Sequence, residues 1–205
     1  MHRFSAVIIV AIACLALPAA APAQGSLTAS QFTAMDRVYA AFAAFDDADG
    51  TTAADRREAR AACAAIGSAD PLSAVLRRAC GAQLDVGQAL GITTRCAGPR
   101  SCIAGTRFVQ RALTAFIAQR RALNRAVIAA GLGAACTREL RTDMKTFQYL
   151  TRLRAGYAQL ERAVRTRSTA LAKRAERRIS ALRDPDTRSV AQTGVDFRAA
   201  CVPPA

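Results

Sequence analysis

Apolar residues along the C-terminal half of the chain recur at alternating spacings of three and four. Leu150, Leu153, Tyr157, Leu160 and Val164 form one such series, and Leu171 stands seven beyond Val164. On an α-helix this keeps one stripe against a neighbour, in the manner of a heptad seam. Arg167 holds the slot where the next apolar residue is due, and Leu171, Ala175, Ile179 and Leu182 continue a single face. The seam is too short for a fibrous coiled coil and predicts a packed helical hairpin instead. The first arm of that hairpin precedes it. At about 100° per residue, Val109, Leu113, Phe116, Leu123 and Val127 gather on one side, and Arg107, Arg111, Arg121 and Arg125 on the other. Arg120 falls inside the apolar stripe, where its stem packs while the guanidinium emerges to water, or where it meets a buried carboxylate. Gly131 and Gly133 suit a helix C-cap and a tight reversal, so the two arms are expected to run antiparallel. Gly156, at a cost of about 1 kcal/mol relative to alanine, leaves the continuity of the second arm open.

Smaller helices are expected upstream. Leu27-Thr28-Ala29-Ser30-Gln31-Phe32 has the form of a capping box, with Thr28 and Gln31 as its partners. Phe32, Met35, Val38, Tyr39, Phe42 and Phe45 follow as an aromatic stripe of core type. Thr52 and Asp55 open a second helix, ending near Ile66 and carrying Cys63. Asp70-Pro71 opens a third, with Leu72, Val75, Leu76, Cys80 and Leu84 at helical spacing and weakening at Gly87 and Gly91. Residues 95–101 read as loop. Asp184-Pro185-Asp186 ends the last long helix, and an amphipathic segment from Val190 to Cys201 folds back before Pro203-Pro204. No period-two alternation and no internal repeat stands out. The expected fold is all-α: a disulfide-stapled bundle of five to six helices ending in a long antiparallel hairpin.

The first 23 residues have the form of a secretory signal peptide. His2 and Arg3 precede an apolar core from Val7 to Leu17, and Ala21-Pro22-Ala23 forms a small-residue cleavage site. The core is shorter than the roughly 20 residues of a membrane span. Cys14 lies inside it, with Ala11 where a lipobox takes leucine, so no lipoprotein site is read there. The remainder, 24–205, is expected to be an exported, periplasmic or secreted single domain without a transmembrane segment. It keeps six cysteines, Cys63, Cys80, Cys96, Cys102, Cys136 and Cys201, which in an exported chain imply three disulfides. Spacing does not select among the pairings, although Cys96 and Cys102 flank a Gly98-Pro99 turn and make the nearest local pair. Alanine accounts for 49 of the 205 residues, and since it buries little surface the core is thin and gains from covalent staples.

Charge divides the chain. Residues 24–94 hold 6 Arg against 8 acidic residues, whereas 95–205 hold 22 Arg plus Lys against 7. A GC-rich genome accounts for arginine over lysine but not for the excess over acids. Chemistry is narrowed by what is missing. The only histidine, His2, leaves with the signal peptide, which excludes Ser-His-Asp, Cys-His and His-zinc sites. No C-x-x-C pair or glycine-rich phosphate loop occurs. Asp46-Asp47-Ala48-Asp49-Gly50 looks like half a calcium loop, but Phe45 and Arg56 stand at its first and twelfth positions. Carboxylate chemistry would draw on Asp46, Asp47, Asp49, Glu139, Asp143 and Glu161, the last two and Glu139 lying among arginines as surface ion pairs do. Neither enzyme activity, cofactor nor metal is expected.

The positive signal is a basic surface: Arg138, Arg141, Lys145 and Arg152 within about a third of the second arm's circumference, beside Arg107, Arg111, Arg121 and Arg125. Guanidinium forks match phosphates and carboxylates, so the expected partner is an anionic envelope polymer or anionic lipid surface. Sequence-specific nucleic-acid binding is not expected, because Trp is absent and no aromatics are interleaved with the arginines. The competing expectation is a helical scaffold pairing with itself or a partner through the heptad-like seam.

Overall fold

The computed structural model describes residues 26–46, 52–93, 95–141, 144–183, 185, 188 and 190–201, without the side chains at 46, 144–146 and 190. The signal peptide, the acidic run around Asp47 and Asp49, Asp143, Asp184, Asp186, Pro203-Pro204 and the Lys145 side chain lie outside the described residues. Among the described residues the chain is all-helical, without strands. In order, the helices are α1 (Ala29–Asp46), α2 (Ala53–Ala64), α3 (Pro71–Thr93), α4 (Pro99–Ala129), α5 (Ala134–Leu140), α6 (Met144–Arg165), α7 (Thr169–Ala181) and α8 (Val190–Cys201).

The eight helices among the described residues exceed the five or six expected, and part of the excess arises where a single second arm was read: that arm is α5, α6 and α7. Arg141 caps α5 in extended backbone, φ −76° and ψ 148°. At the second break Arg167 takes φ +52°. Ser168 N–H donates to Ala163 C=O at 3.0 Å and Arg167 N–H to Val164 C=O at 3.2 Å, the pair of bonds that closes a Schellman motif. Ser168 then caps α7, its Oγ accepting from Leu171 N–H at 3.3 Å. The arginine that looked like a flaw in the seam is thus the residue on which the helix ends. Gly156 does not interrupt α6. A Cβ there would lie 2.7 Å from Ile179 Cγ1, so the glycine lets α7 approach.

The other helix starts follow local chemistry. Thr28 and Gln31 form the expected box, Thr28 N–H to Gln31 Oε1 at 2.9 Å and Gln31 N–H to Thr28 Oγ1 at 3.3 Å. Thr52 and Asp55 form the second. Asp70 Oδ1 accepts from the N–H groups of Leu72 and Ser73, each at 3.0 Å, and from Gln31 Nε2 at 3.2 Å. One carboxylate therefore caps α3 and ties it to α1. The third helix does not weaken at Gly87 or Gly91 but runs on to Thr93; at Gly87 an added Cβ would collide with the Phe45 ring, so glycine there leaves that ring room. Residues 99–101, read as loop, already belong to α4: Pro99 stands in its first turn, and Ser101 Oγ accepts from Gly98 N–H at 3.1 Å.

The apolar stripe of α4 is buried as the periodicity requires: Val109, Leu113 and Val127 are fully enclosed and Phe116 and Leu123 nearly so. Two hydrophobic clusters result. One gathers α1, α2, the first half of α3, the end of α4, α5 and α8; the other gathers the second half of α3, most of α4 and α6. Only α3 and α4 contribute several buried residues to both. Three disulfides join Cys63 to Cys80, Cys96 to Cys102 and Cys136 to Cys201. The last closes 65 residues, a constraint of about 4 kcal/mol on the unfolded chain by loop entropy. Disulfides of this number are characteristic of an oxidising compartment. No helix among the described residues is long and apolar enough to cross a membrane.

Two outcomes follow. Arg167→Gly removes the left-handed penalty on a residue with a Cβ and is expected to raise stability by about 1 kcal/mol, read as a higher melting temperature. An unchanged or lower one contradicts the assignment. Asp70→Ala is expected to cost about 1 kcal/mol. Partial burial raises the Asp70 pKa, but bonds from Ser73, Gln31 and Leu72 together bring it below its ordinary 3.8. Its contribution is therefore complete above pH 3.8 and lost as pH falls through the lower folded-state value. Asp70→Asn should flatten the acid limb of stability against pH there; an unaltered limb contradicts the linkage.

Candidate anion-binding surface and cavity

The arginines expected to form one face are distributed over several settings. Arg107, Arg111, Arg121 and Arg125 are exposed along α4. Two of them are engaged by α6. Arg107 Nε donates to Glu161 Oε1 at 2.8 Å, an oxygen shared with Arg165, and Gln110 Nε2 holds Glu161 Oε2 at 2.8 Å. The Arg121 guanidinium lies 5.8 Å over the Phe147 ring. Further along, Arg154 Nη1 donates to Thr114 Oγ1 and Arg141 Nε to Asn124 Oδ1, each at 3.2 Å. Partners thus descend from Glu161 through α6 to Arg141 as they ascend along α4.

The grouping of Arg138, Arg141, Lys145 and Arg152 on one helical face does not hold. Arg138 is on α5, Arg141 is its extended cap and Arg152 is on α6, so the break after Leu140 removes the common axis on which that angle was reckoned. Arg111, Arg125, Arg138 and Arg152 are exposed, and no carboxylate among the described residues pairs with them. The heptad-like seam is turned inward. Leu150, Leu153 and Tyr157 are buried with α4 residues and Leu160 packs beside them, while Val164 is half-buried. Leu171, past the Arg167 turn, is exposed.

A denser basic cluster lies where no site was expected. Between residues 161 and 183 there are eight cations, Arg162, Arg165, Arg167, Lys173, Arg174, Arg177, Arg178 and Arg183, against Glu161 and Glu176. All eight are exposed. On α7, Lys173, Arg174, Arg177 and Arg178 span roughly 140° of arc, while Ala175 is buried and Ile179 half-buried on the side facing α6. Lys173 with Arg177, and Arg174 with Arg178, are like charges four apart, each pair costing a few tenths of a kcal/mol. The sequence shows this charge as the run Lys-Arg-Ala-Glu-Arg-Arg, but its gathering on one arc depends on α7 beginning at Thr169.

Beside α5 the helices border a half-open cavity of about 750 Å³. Met35, Val38 and Phe42 of α1, Leu76 and Ala79 of α3, and Phe116 and Leu123 of α4 make an apolar wall. The α1 stripe read as core is therefore partly cavity lining. The rim carries Arg120, Arg138, Arg141 and Arg188 with Glu139 and Tyr39. The Arg120 guanidinium lies 5.5 Å over Phe116, with its Nε buried. Arg188 Nη1 bridges Glu139 Oε2 at 2.8 Å and Asp196 Oδ2 at 3.0 Å. Burial first, and the Glu139 carboxylate second, push the Tyr39 hydroxyl well above its usual range, so it remains a neutral donor. The Cys136–Cys201 bond holds α5 to α8, where Phe197 stacks 5.8 Å from Phe32.

No protein-family model, curated protein or solved structure matches the chain.

A seven-residue helix has little stability of its own, so the position of α5 depends on that covalent bond. In a chain carrying Cys136→Ser and Cys201→Ser, amide hydrogens of α5 and α8 should lose exchange protection while those of α3 and α4 keep it. Equal protection throughout contradicts this dependence.

Proposed function

We propose that the chain is an exported, non-enzymatic helical protein that binds a polyanionic envelope component through exposed arginines, centred on α7 and the end of α6. In this reading α4 and α6 form the antiparallel hairpin that displays the basic side, and α7 extends it. The signal-like residues 1–23 and the paired cysteines support export. The partner is an anionic polymer or an anionic lipid surface rather than a specific nucleic-acid sequence.

One observation carries the reading: four adjacent cations on α7 with no carboxylate paired to them among the described residues. Repulsion between neighbours disfavours the free helix, and a bound polyanion turns that cost into attraction. A face serving solubility alone gains from interspersed signs, which the first half of the chain has; on α7 the single acid, Glu176, falls outside the arc of the four cations.

Charge reversal at Lys173, Arg174, Arg177 and Arg178 is expected to weaken binding to an acidic polysaccharide by at least about a hundredfold at low salt. Glu161→Gln, which releases Arg107 and Arg165, should strengthen it severalfold. Isotherms unmoved by either change would overturn the proposal.

A further inference from the structure

We propose that the cavity between α1, α3, α4, α5 and α8 is a binding site for a single-chain aliphatic carboxylate, a free fatty acid, with its head at Arg138 and Arg141. A volume of about 750 Å³ lies within the range of sites that enclose one small ligand. Its wall is apolar on three helices and its rim is cationic, which suits an amphiphile with one anionic end. Arg138 and Arg141 have no carboxylate partner among the described residues, and Arg141 uses only its Nε, on Asn124. Their forks are thus available to a carboxylate.

The lining of this cavity continues into a second. That one, of about 270 Å³, shares Phe42, Gln83 and Phe116 with the first. Beyond them it is walled mainly by Phe45, Leu84, Val86, Leu90, Leu150 and Leu153, with Tyr149 adding a hydroxyl. This mostly apolar extension leads away from the arginines and suits one chain. The charge of the head is limited as well. Glu139 stands on the same rim, and although Arg188 holds it at 2.8 Å, its carboxylate disfavours a doubly charged head such as a phosphate monoester relative to a single carboxylate. Tyr39, Thr137 and Thr193 place neutral hydroxyls on the same lining. The Cys63–Cys80 and Cys136–Cys201 bonds brace the α3 and α5 walls, which keeps the space preformed. The cavity and the α7 surface share no residue, so this site stands apart from polyanion binding.

The test is calorimetric titration of the full chain, disulfides formed, with sodium dodecanoate, 1-dodecanol and dodecyl phosphate below their aggregation limits. Dodecanoate is expected to bind one per chain, with the alcohol and the phosphate each at least about tenfold weaker. Arg138→Glu with Arg141→Glu should weaken dodecanoate by a similar factor while the chain stays folded, both residues being exposed. Ala79→Phe, filling the larger cavity, should abolish binding. Absence of stoichiometric binding, equal affinity for the alcohol, equal or tighter affinity for the phosphate, or undiminished binding by the folded arginine double variant would each overturn the proposal.

Discussion

Packing of α3 against α4 is the interaction on which the rest of the molecule depends. These are the two longest helices, and each enters both hydrophobic clusters. Val109 and Leu113 lie fully enclosed on one half of α4, and Leu123 and Val127 are buried on the other. α1 and α2 pack at one end of this pair, α5 and α6 against α4, α7 on α6, and α8 on α1 and α5. A helix start capped by Asp70 and another opened by Gly98-Pro99 set where the pair begins, so loss of either cap would shift elements far from it.

Alanine-rich helices of this kind approach closely but bury little area per residue. Covalent bonds compensate at the places where apolar contact is weakest. α2 is joined to α3, the entry to α4 is closed on itself, and α5 and α8, neither of which has a long apolar face, are joined to each other. The same shortage of large side chains leaves space. Around α5, five helices meet without filling the volume between them, and arginines at the rim become the chemistry of that space. The cavity and the basic surface thus have a common origin in a composition of small and cationic residues.

Periodicity and caps made much of the fold readable. The buried stripe of α4, the capping boxes at Thr28 and Thr52, the Asp70 cap, the Gly131 reversal with φ +64° and the local Cys96–Cys102 pair all follow from local rules. What could not be read was the division of the second arm. A seam at three-and-four spacing persists across Arg167 in the sequence because spacing carries no information about backbone dihedrals, and a non-glycine residue in the left-handed region gives no warning. The cavity was hidden for a different reason. Its lining comes from five helices, and the aromatic stripe of α1 has the same pattern whether it meets another side chain or an opening. The charge excess was legible, but its concentration on α7 depended on knowing where that helix begins.

The most direct test of this account is the salt dependence of the oxidised chain's affinity for an acidic polysaccharide, with duplex DNA and anionic vesicles as comparison ligands. The account predicts selective binding, with the logarithm of the constant falling linearly against the logarithm of salt at a slope of magnitude about 3 or more, the release expected when the α7 cations engage together. Weak and equal binding to all three, gone by about 0.15 M salt, would mean that the arginines only keep the protein in solution.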